Sequence, residues 1–128
     1  MRIENKRSLQ NRLVSGACAA ILSVALTGCA ADYEQLSSAE DASSCAAWLT
    51  GNAPLEAPPR VAIVDEPIIV SAQHTDGAAY ASLNLVKVRR GTAEQTASRI
   101  VHEMAHLYGA TESEADFAER NAWRCALG

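Results

Sequence analysis

The stretch TAEQTASRIVHEMAHLYGATESEAD, residues 92–116, decides the fold of this 128-residue chain. Thr92 and Gln95 form a capping-box pattern that opens a helix, and a glycine supplies the signal that ends it. Thr111 and Glu114 repeat the capping-box pattern and open a second helix. Because only two residues separate these helices, the stretch predicts a tight αα-hairpin.

The first of these two helices has an apolar and a polar arc. At about 100° per residue, the apolar residues share one broad arc, which predicts a face packed in the core. These residues are Ala97, Ile100, Val101, Met104, Leu107 and Tyr108. The opposite arc carries Gln95, Ser98, Arg99, His102, Glu103 and His106. A polar arc of this kind fits either a solvated face or a metal-binding face.

The residues His102-Glu103-Met104-Ala105-His106 on the polar arc form an H-E-x-x-H pattern. Histidines at positions i and i+4 of a helix lie one turn apart, so both imidazoles can reach one zinc ion. The glutamate between them can accept a proton from a zinc-bound water. The pattern resembles that of the zincin metallopeptidases. This resemblance implies zinc as the cofactor, His102 and His106 as metal ligands and Glu103 as the catalytic base.

A catalytic zinc site needs a third protein ligand. Glu112 lies ten residues after His102, where metzincins place a histidine, but no methionine follows position 104 to form a metzincin Met-turn. Residues 112–116 resemble the E-x-x-A-D segment of gluzincins. That resemblance implies Glu112 as the third zinc ligand and Asp116 as the brace of a zinc-binding imidazole. Glu114 is the alternative ligand, although the capping box already accounts for it.

The N-terminal 28 residues have the pattern of a secretory signal, with four basic residues before an apolar run. Leu26-Thr27-Gly28-Cys29 follows this run and resembles the lipobox of bacterial lipoproteins. The resemblance implies cleavage before Cys29 and acylation of that cysteine. It also implies a lipid-bilayer anchor in the bacterial cell envelope, at the periplasmic face of the outer membrane. A plain signal peptide and an amphipathic helix with a stray cysteine are the alternatives.

Cleavage at the lipobox would change both the charge and the cysteine count. The full chain has a net charge of −4, whereas residues 29–128 hold seven basic and fourteen acidic residues. This acidic balance disfavours nucleic acid as a partner. Cys45 and Cys125 are left once Cys29 carries lipid, and in an oxidising compartment they are predicted to form a disulfide. Two buried free thiols are the alternative.

The rest of the chain predicts a flexible tether over 29–36 and one small α+β domain over 37–128. A capping-box pattern at Ser37 and Glu40 predicts a helix that ends at Gly51. Strands are predicted over 60–64, 67–72 and 79–88. We expect a short, mostly antiparallel three-stranded sheet, packed by the H-E-x-x-H helix and flanked by N- and C-terminal helices.

The zincin resemblance implies a zinc-dependent peptidase that hydrolyses bonds in a peptide or protein substrate. Residues 80–86 of the third predicted strand would pair with extended substrate, and Tyr80 is a candidate donor to the transition state. His74 stands beside a turn and is predicted to be a surface residue rather than a ligand. We expect a monomer. A non-catalytic zinc-binding lipoprotein and a structural or interaction lipoprotein without metal are the alternative functions.

Overall fold

The computed structural model describes residues 31–127, so the predicted signal sequence and Cys29 lie outside the described residues. The helices are α1 (Tyr33–Leu36), α2 (Ala39–Thr50), α3 (Ala93–Leu107), α4 (Glu112–Asn121) and α5 (Trp123–Ala126). The strands are β1 (Arg60–Val64), β2 (Ile68–Val70), β3 (Gln73–Thr75), β4 (Gly77–Tyr80) and β5 (Leu85–Arg89). No helix within residues 31–127 has both the length and the apolar character needed to cross a membrane.

A three-stranded sheet with the order β1–β5–β4 covers one side of α3. The central strand, β5, pairs in parallel with β1, where Val61 lies opposite Val86. It pairs antiparallel with β4, where Ala79 lies opposite the same valine. Val86 and Val88 alternate along β5 and are fully buried, so this strand supplies the sheet's side of the core. The structure therefore confirms the small α+β class.

The strands differ from the predicted ones in two places. The predicted strand 79–88 is divided by a 3-10 turn that ends at Asn84, a residue with a positive φ of 47°. The predicted strand 67–72 forms β2, which pairs with β3 in a separate two-stranded sheet. Ser71 and Ala72 both have positive φ and form the two-residue turn between these strands. Such turns favour Asn-Gly, so the sequence did not signal this one.

The parallel pairing of β1 with β5 is the main departure from the predicted sheet. In a mostly antiparallel sheet, neighbouring strands follow each other closely along the chain. Here the β2–β3 hairpin and β4 lie between β1 and β5 in sequence. Two neighbouring parallel strands need a connection that returns the chain to the end of the sheet at which the first strand begins. The long segment between β1 and β5 makes this return possible. Local patterns of apolar residues do not encode that choice of partner.

Helix α2 carries Cys45 and ends, as predicted, at Gly51. It begins one residue later than predicted. The N-cap is Ser38 rather than Ser37, and its hydroxyl accepts a hydrogen bond from the Asp41 N–H at 3.2 Å. Adjacent serines offer the same capping chemistry, so the pattern alone could not separate them.

Helix α1 lies within the range predicted as a tether, and the prediction is wrong for residues 33–36. Leu36 is only 2% exposed and belongs to the core. Just before the helix, the Asp32 N–H donates to the Ala126 carbonyl at 2.9 Å. The Ser- and acid-rich composition of this range predicted a tether, although Leu36 is buried. The packed domain therefore starts earlier in the sequence than expected.

The apolar arc of α3 forms the centre of the core. Four of its predicted residues are fully buried, namely Ala97, Ile100, Val101 and Met104. Leu107 and Tyr108 are partly buried against the same core. The Tyr108 hydroxyl also bonds the Ser43 hydroxyl at 2.8 Å and accepts from the Leu55 N–H at 2.9 Å. The predicted packing role of Tyr108 is therefore confirmed.

A disulfide joins Cys45 on α2 to Cys125 on α5 and confirms the predicted pair. The two residues are 80 positions apart in the sequence, with Cα atoms 5.9 Å apart. Both cysteines are buried within the core cluster. The bond thus links the first long helix to the C-terminal helix, and all five strands lie between the two cysteines in the sequence.

Candidate metal centre

The turn between α3 and α4 brings the two helices of the predicted hairpin together. Gly109 has a φ of +90°, in the left-handed region that glycine adopts without strain. The Ala110 N–H then bonds the Ala105 carbonyl at 3.0 Å and closes the end of α3. The two capping boxes predicted for this hairpin, opened by Thr92 and Thr111, are both formed. Local sequence signals therefore position the start of α4 beside the end of α3.

The Glu112 carboxylate on α4 contacts both histidines on α3. Its Oε1 atom is 2.9 Å from His106 Nε2, and its Oε2 atom is 3.3 Å from His102 Nε2. One potential ligand atom from each of these three residues lies within 4.8 Å of the others. The Glu114 carboxylate instead accepts from the Thr111 N–H at 2.8 Å. Of the two predicted candidates, the structure therefore brings Glu112 to the histidines, and this group can hold a metal ion.

The orientation of the His106 ring is fixed by the backbone. Its Nδ1 atom lies 3.1 Å from the Ala110 carbonyl oxygen, which can only accept a hydrogen bond. Nδ1 can therefore donate to this carbonyl, and Nε2, which lies 2.9 Å from Glu112 Oε1, is the ring atom left to bind a metal ion.

His102 is 8% exposed, and its ring presents its two nitrogens to different groups. Its Nδ1 atom is 2.8 Å from Glu119 Oε1 and 3.5 Å from Asp116 Oδ1. The Glu119 oxygen is close enough for a hydrogen bond, but it does not lie in the direction in which an N–H bond at Nδ1 would point. Among the described residues this buried nitrogen therefore has no hydrogen-bond partner.

Glu119 is a site residue that sequence reasoning missed. The resemblance pointed to Asp116 alone, yet the Glu119 carboxylate lies closer to His102. A signal for it was present, because positions 112, 116 and 119 are spaced by four and three residues and share one face of a helix. That face of α4 is the one turned toward the histidines.

Glu103 is a buried carboxylate beside the same histidines, with 9% of its surface exposed. Its Oε2 atom is 3.9 Å from His102 Nε2. On its other side it packs against the backbone of β4, where a Cβ at Gly77 would lie 2.6 Å from the same oxygen. Burial raises the pKa of Glu103 above its ordinary value, and the charges of His102 and His106 oppose that rise. The burial of Glu103 and His102 argues against a merely solvated helix face.

An open cleft of about 470 Å³ borders these groups. Its walls are α3, α4 and the turn that precedes β4. At one end Arg99 is fixed, because it donates to the Arg89 carbonyl at 2.7 Å and pairs with Asp76 at 3.4 Å. Tyr80 is not among the residues that line the cleft. Its predicted role as a donor therefore stays a prediction, without support from the structure.

His74 lies on β3 and is exposed, as predicted for a surface residue. It belongs to neither of the residue groups able to hold a metal ion in the part of the chain that the structure describes. The histidines of the candidate centre are therefore the two of the H-E-x-x-H pattern.

Comparisons of this chain with models of protein families, with curated proteins and with solved structures gave no match. The resemblance to zincins accordingly depends on residues 102–116. The resemblance to lipoproteins depends on residues 1–29, which lie outside the described residues.

Proposed function

We propose that this protein is a zinc-dependent peptidase in which His102, His106 and Glu112 hold the metal and Glu103 is the catalytic base. One observation carries the proposal. Two imidazole nitrogens and a carboxylate from two helices converge beside a buried glutamate, at the wall of an open cleft. Two histidines and one glutamate are a known ligand set of catalytic zinc sites, in which water or substrate takes the fourth position.

The chemistry of the donors favours zinc over magnesium or calcium. Imidazole nitrogen suits zinc and other transition metals, whereas magnesium and calcium prefer oxygen ligands alone. The Glu112 side chain is 70% exposed, so an ion can reach the histidines from the cleft. Burial of His102 and Glu103 gives the opposite side of the site a drier environment.

Bound zinc would supply Lewis acidity toward a peptide carbonyl and lower the pKa of its water. Glu103 would take a proton from the attacking water and pass it to the leaving amine nitrogen. The raised pKa of Glu103 suits both steps, because a base that later acts as an acid works best near the operating pH. β4 is an outer strand of its sheet, and its Gly77 lines the cleft. Its backbone could pair with an extended peptide, in place of the predicted strand 80–86.

Zinc content and hydrolysis of a mixed peptide library, read by mass spectrometry, test this proposal. Glu103→Gln is expected to retain one zinc per chain and to lose hydrolysis by about 100-fold or more, since general base catalysis contributes that much. His106→Ala is expected to lose the zinc. Glu56→Gln removes a charge from an exposed loop residue and is expected to change neither property.

The possible results separate the alternatives. A zinc-free wild-type protein would contradict the proposal and favour a structural or interaction lipoprotein. Wild-type protein that holds zinc but cleaves nothing in the library would favour a non-catalytic zinc-binding protein.

The proposal extends to location through the lipobox-like sequence at Cys29. Acylation there would hold the domain at a bilayer surface in the cell envelope. The Cys45–Cys125 disulfide supports an oxidising compartment. Cys29→Ser is expected to move the protein out of the membrane fraction or to block its processing. Unchanged processing and fractionation of that variant would count against the anchor.

A further inference from the structure

His102 has a ring nitrogen that the three-ligand group does not use. Nε2 faces Glu112, while Nδ1 is buried and lacks a hydrogen-bond partner among the described residues. An unpaired polar nitrogen in a buried ring costs free energy. Two carboxylates of α4 lie within 3.5 Å of this nitrogen, at Glu119 and at Asp116. The site therefore contains a buried, unpartnered ring nitrogen with two carboxylate acceptors beside it.

We propose that Glu119 is the positioning residue of this metal site. Its carboxylate accepts a hydrogen bond from His102 Nδ1–H when Nε2 binds the metal. The inference rests on the proposed function, which makes Nε2 the metal-binding atom. A histidine bound through Nε2 retains its proton on Nδ1, and a carboxylate that accepts this proton fixes the ring and makes Nε2 a stronger ligand.

The distances favour Glu119 over Asp116 for this role. The Glu119 oxygen lies 2.8 Å from Nδ1, which is the length of a charge-assisted N–H···O bond. The distance already fits this bond, so only its alignment has to improve when Nε2 binds the metal. The Asp116 oxygen is 3.5 Å away, beyond the usual length of such a bond. Asp116 adds negative charge near the ring without the direct bond.

The same residues could instead hold a second metal ion, and the test must distinguish this ion from the hydrogen bond. Ligand atoms of His102, Asp116 and Glu119 lie within 4.8 Å of one another, as they would around a second metal ion. An imidazole that binds two ions must lose both of its ring protons, whereas the neutral ring keeps one N–H. We therefore favour the hydrogen bond over a second ion.

The experiment measures zinc affinity of the full chain by competition with a chelator, together with zinc stoichiometry. Glu119→Gln is expected to weaken zinc binding by about 10- to 100-fold, the usual effect of losing such a partner. Asp116→Asn is expected to weaken it less. Glu56→Gln, which removes a charge far along the chain from the histidines, is the control and is expected to leave affinity unchanged.

Two further measurements distinguish positioning from a general structural effect. The absorption spectrum of the cobalt-loaded protein should shift in Glu119→Gln, because the ligand field of His102 changes. The unfolding temperature of the metal-free variant should equal that of the metal-free wild type. Glu119→Asp has the same charge on a shorter side chain and is expected to restore part of the affinity.

The results identify which proposal fails. Wild-type protein that binds no zinc overturns both the proposed function and the role of Glu119. One zinc per wild-type chain with unchanged affinity in Glu119→Gln overturns the role of Glu119 alone. Two zinc ions per wild-type chain, with one lost in Glu119→Gln, overturn it in favour of the second ion.

Discussion

The Glu103 carboxylate lies between the histidines of α3 and the backbone of β4, and its position depends on Gly77, which has no side chain. A Cβ at residue 77 would lie 2.6 Å from the Oε2 atom of this carboxylate, too close for both to fit. The backbone of Gly77 is outside the left-handed region, so alanine could adopt the same conformation there. Space for the Glu103 carboxylate, rather than backbone freedom, is therefore the reason that glycine fits this position.

Gly77→Ala is expected to displace the Glu103 carboxylate and leave the three candidate metal ligands in place. Its methyl carbon would lie 2.6 Å from Glu103 Oε2, and the carboxylate must move away from it. We expect peptide hydrolysis to fall by about 10-fold or more while zinc content stays the same, because displacement of a catalytic group by about 1 Å is costly. Ala78→Gly, at the next residue on the opposite face of β4, is the control. Equal loss of activity in both variants would contradict the explanation.

The pKa of Glu103 gives a prediction for the metal-free protein. Because burial raises this pKa, the native state binds the Glu103 proton more tightly than the unfolded chain does. As pH rises from the ordinary pKa to the raised one, the free energy of unfolding therefore decreases. Glu103→Gln removes that loss and should unfold at a higher temperature than the wild type at neutral pH.

The check is thermal unfolding with a chelator present, over a series of pH values. The difference between Glu103→Gln and the wild type should vanish below about pH 4, where the carboxyl group is protonated in both states. Glu56→Gln should follow the wild type throughout. A difference that stayed constant with pH would show that packing, rather than ionisation, is its cause.

At the scale of elements, the α3–α4 pair is the unit that assembles the candidate centre. Two candidate ligands lie on α3, the third lies in the first turn of α4, and the reversal at Gly109 sets the distance between them. The capping boxes fix where each helix begins. A change at the turn should therefore affect metal binding more than a similar change elsewhere.

Gly109→Ala and Gly51→Ala form a matched pair for this test. Both glycines have positive φ, of +90° and +73°, and an added Cβ would meet nothing within 4 Å at either position. Each substitution is expected to cost about 1–2 kcal/mol of stability through backbone strain alone, measured by urea unfolding. Only Gly109→Ala should also weaken zinc binding, since it alone lies between the ligands. The same zinc affinity in both variants would argue against a positioning role for the turn.

The elements around the site differ in how far apart in the sequence their determinants lie. The capping boxes at Thr92 and Thr111 and the glycine turn between them were predictable, because their signals lie within a few residues. The parallel partner of β1 was not, because pairing joins distant segments. Glu112 was identified from its spacing to the histidines. The spacing places Glu119 on the helix face of Glu112 and Asp116, but its contact with His102 depends on how α4 packs against α3.

At the scale of the whole molecule, the chain relies on one covalent link as well as on its core. Many of the fully buried residues are alanines, which contribute little apolar area each. The disulfide closes a loop with a sequence separation of 80 residues. By the loop-entropy argument, such a bond destabilises the unfolded chain by up to about 4.5 kcal/mol.

Replacement of both cysteines, Cys45→Ala with Cys125→Ala, is therefore expected to lower the free energy of unfolding by up to about 4.5 kcal/mol. Urea unfolding of the oxidised wild type and of the double variant measures this difference. The reduced wild type should resemble the double variant, which separates loss of the bond from the change of side chain. Equal stability of oxidised and reduced wild type would contradict the prediction.

The disulfide also determines whether the fragments of a cleaved backbone stay joined. A backbone cut anywhere between Cys45 and Cys125 leaves both pieces joined through sulfur. If the protein cleaved itself there, a gel without reductant would show an intact molecule, and two fragments would separate only after reduction. A cut on the N-terminal side of Cys45 would have the opposite outcome. It would free the closed loop, with both histidines and Glu112 still inside it, from everything attached upstream.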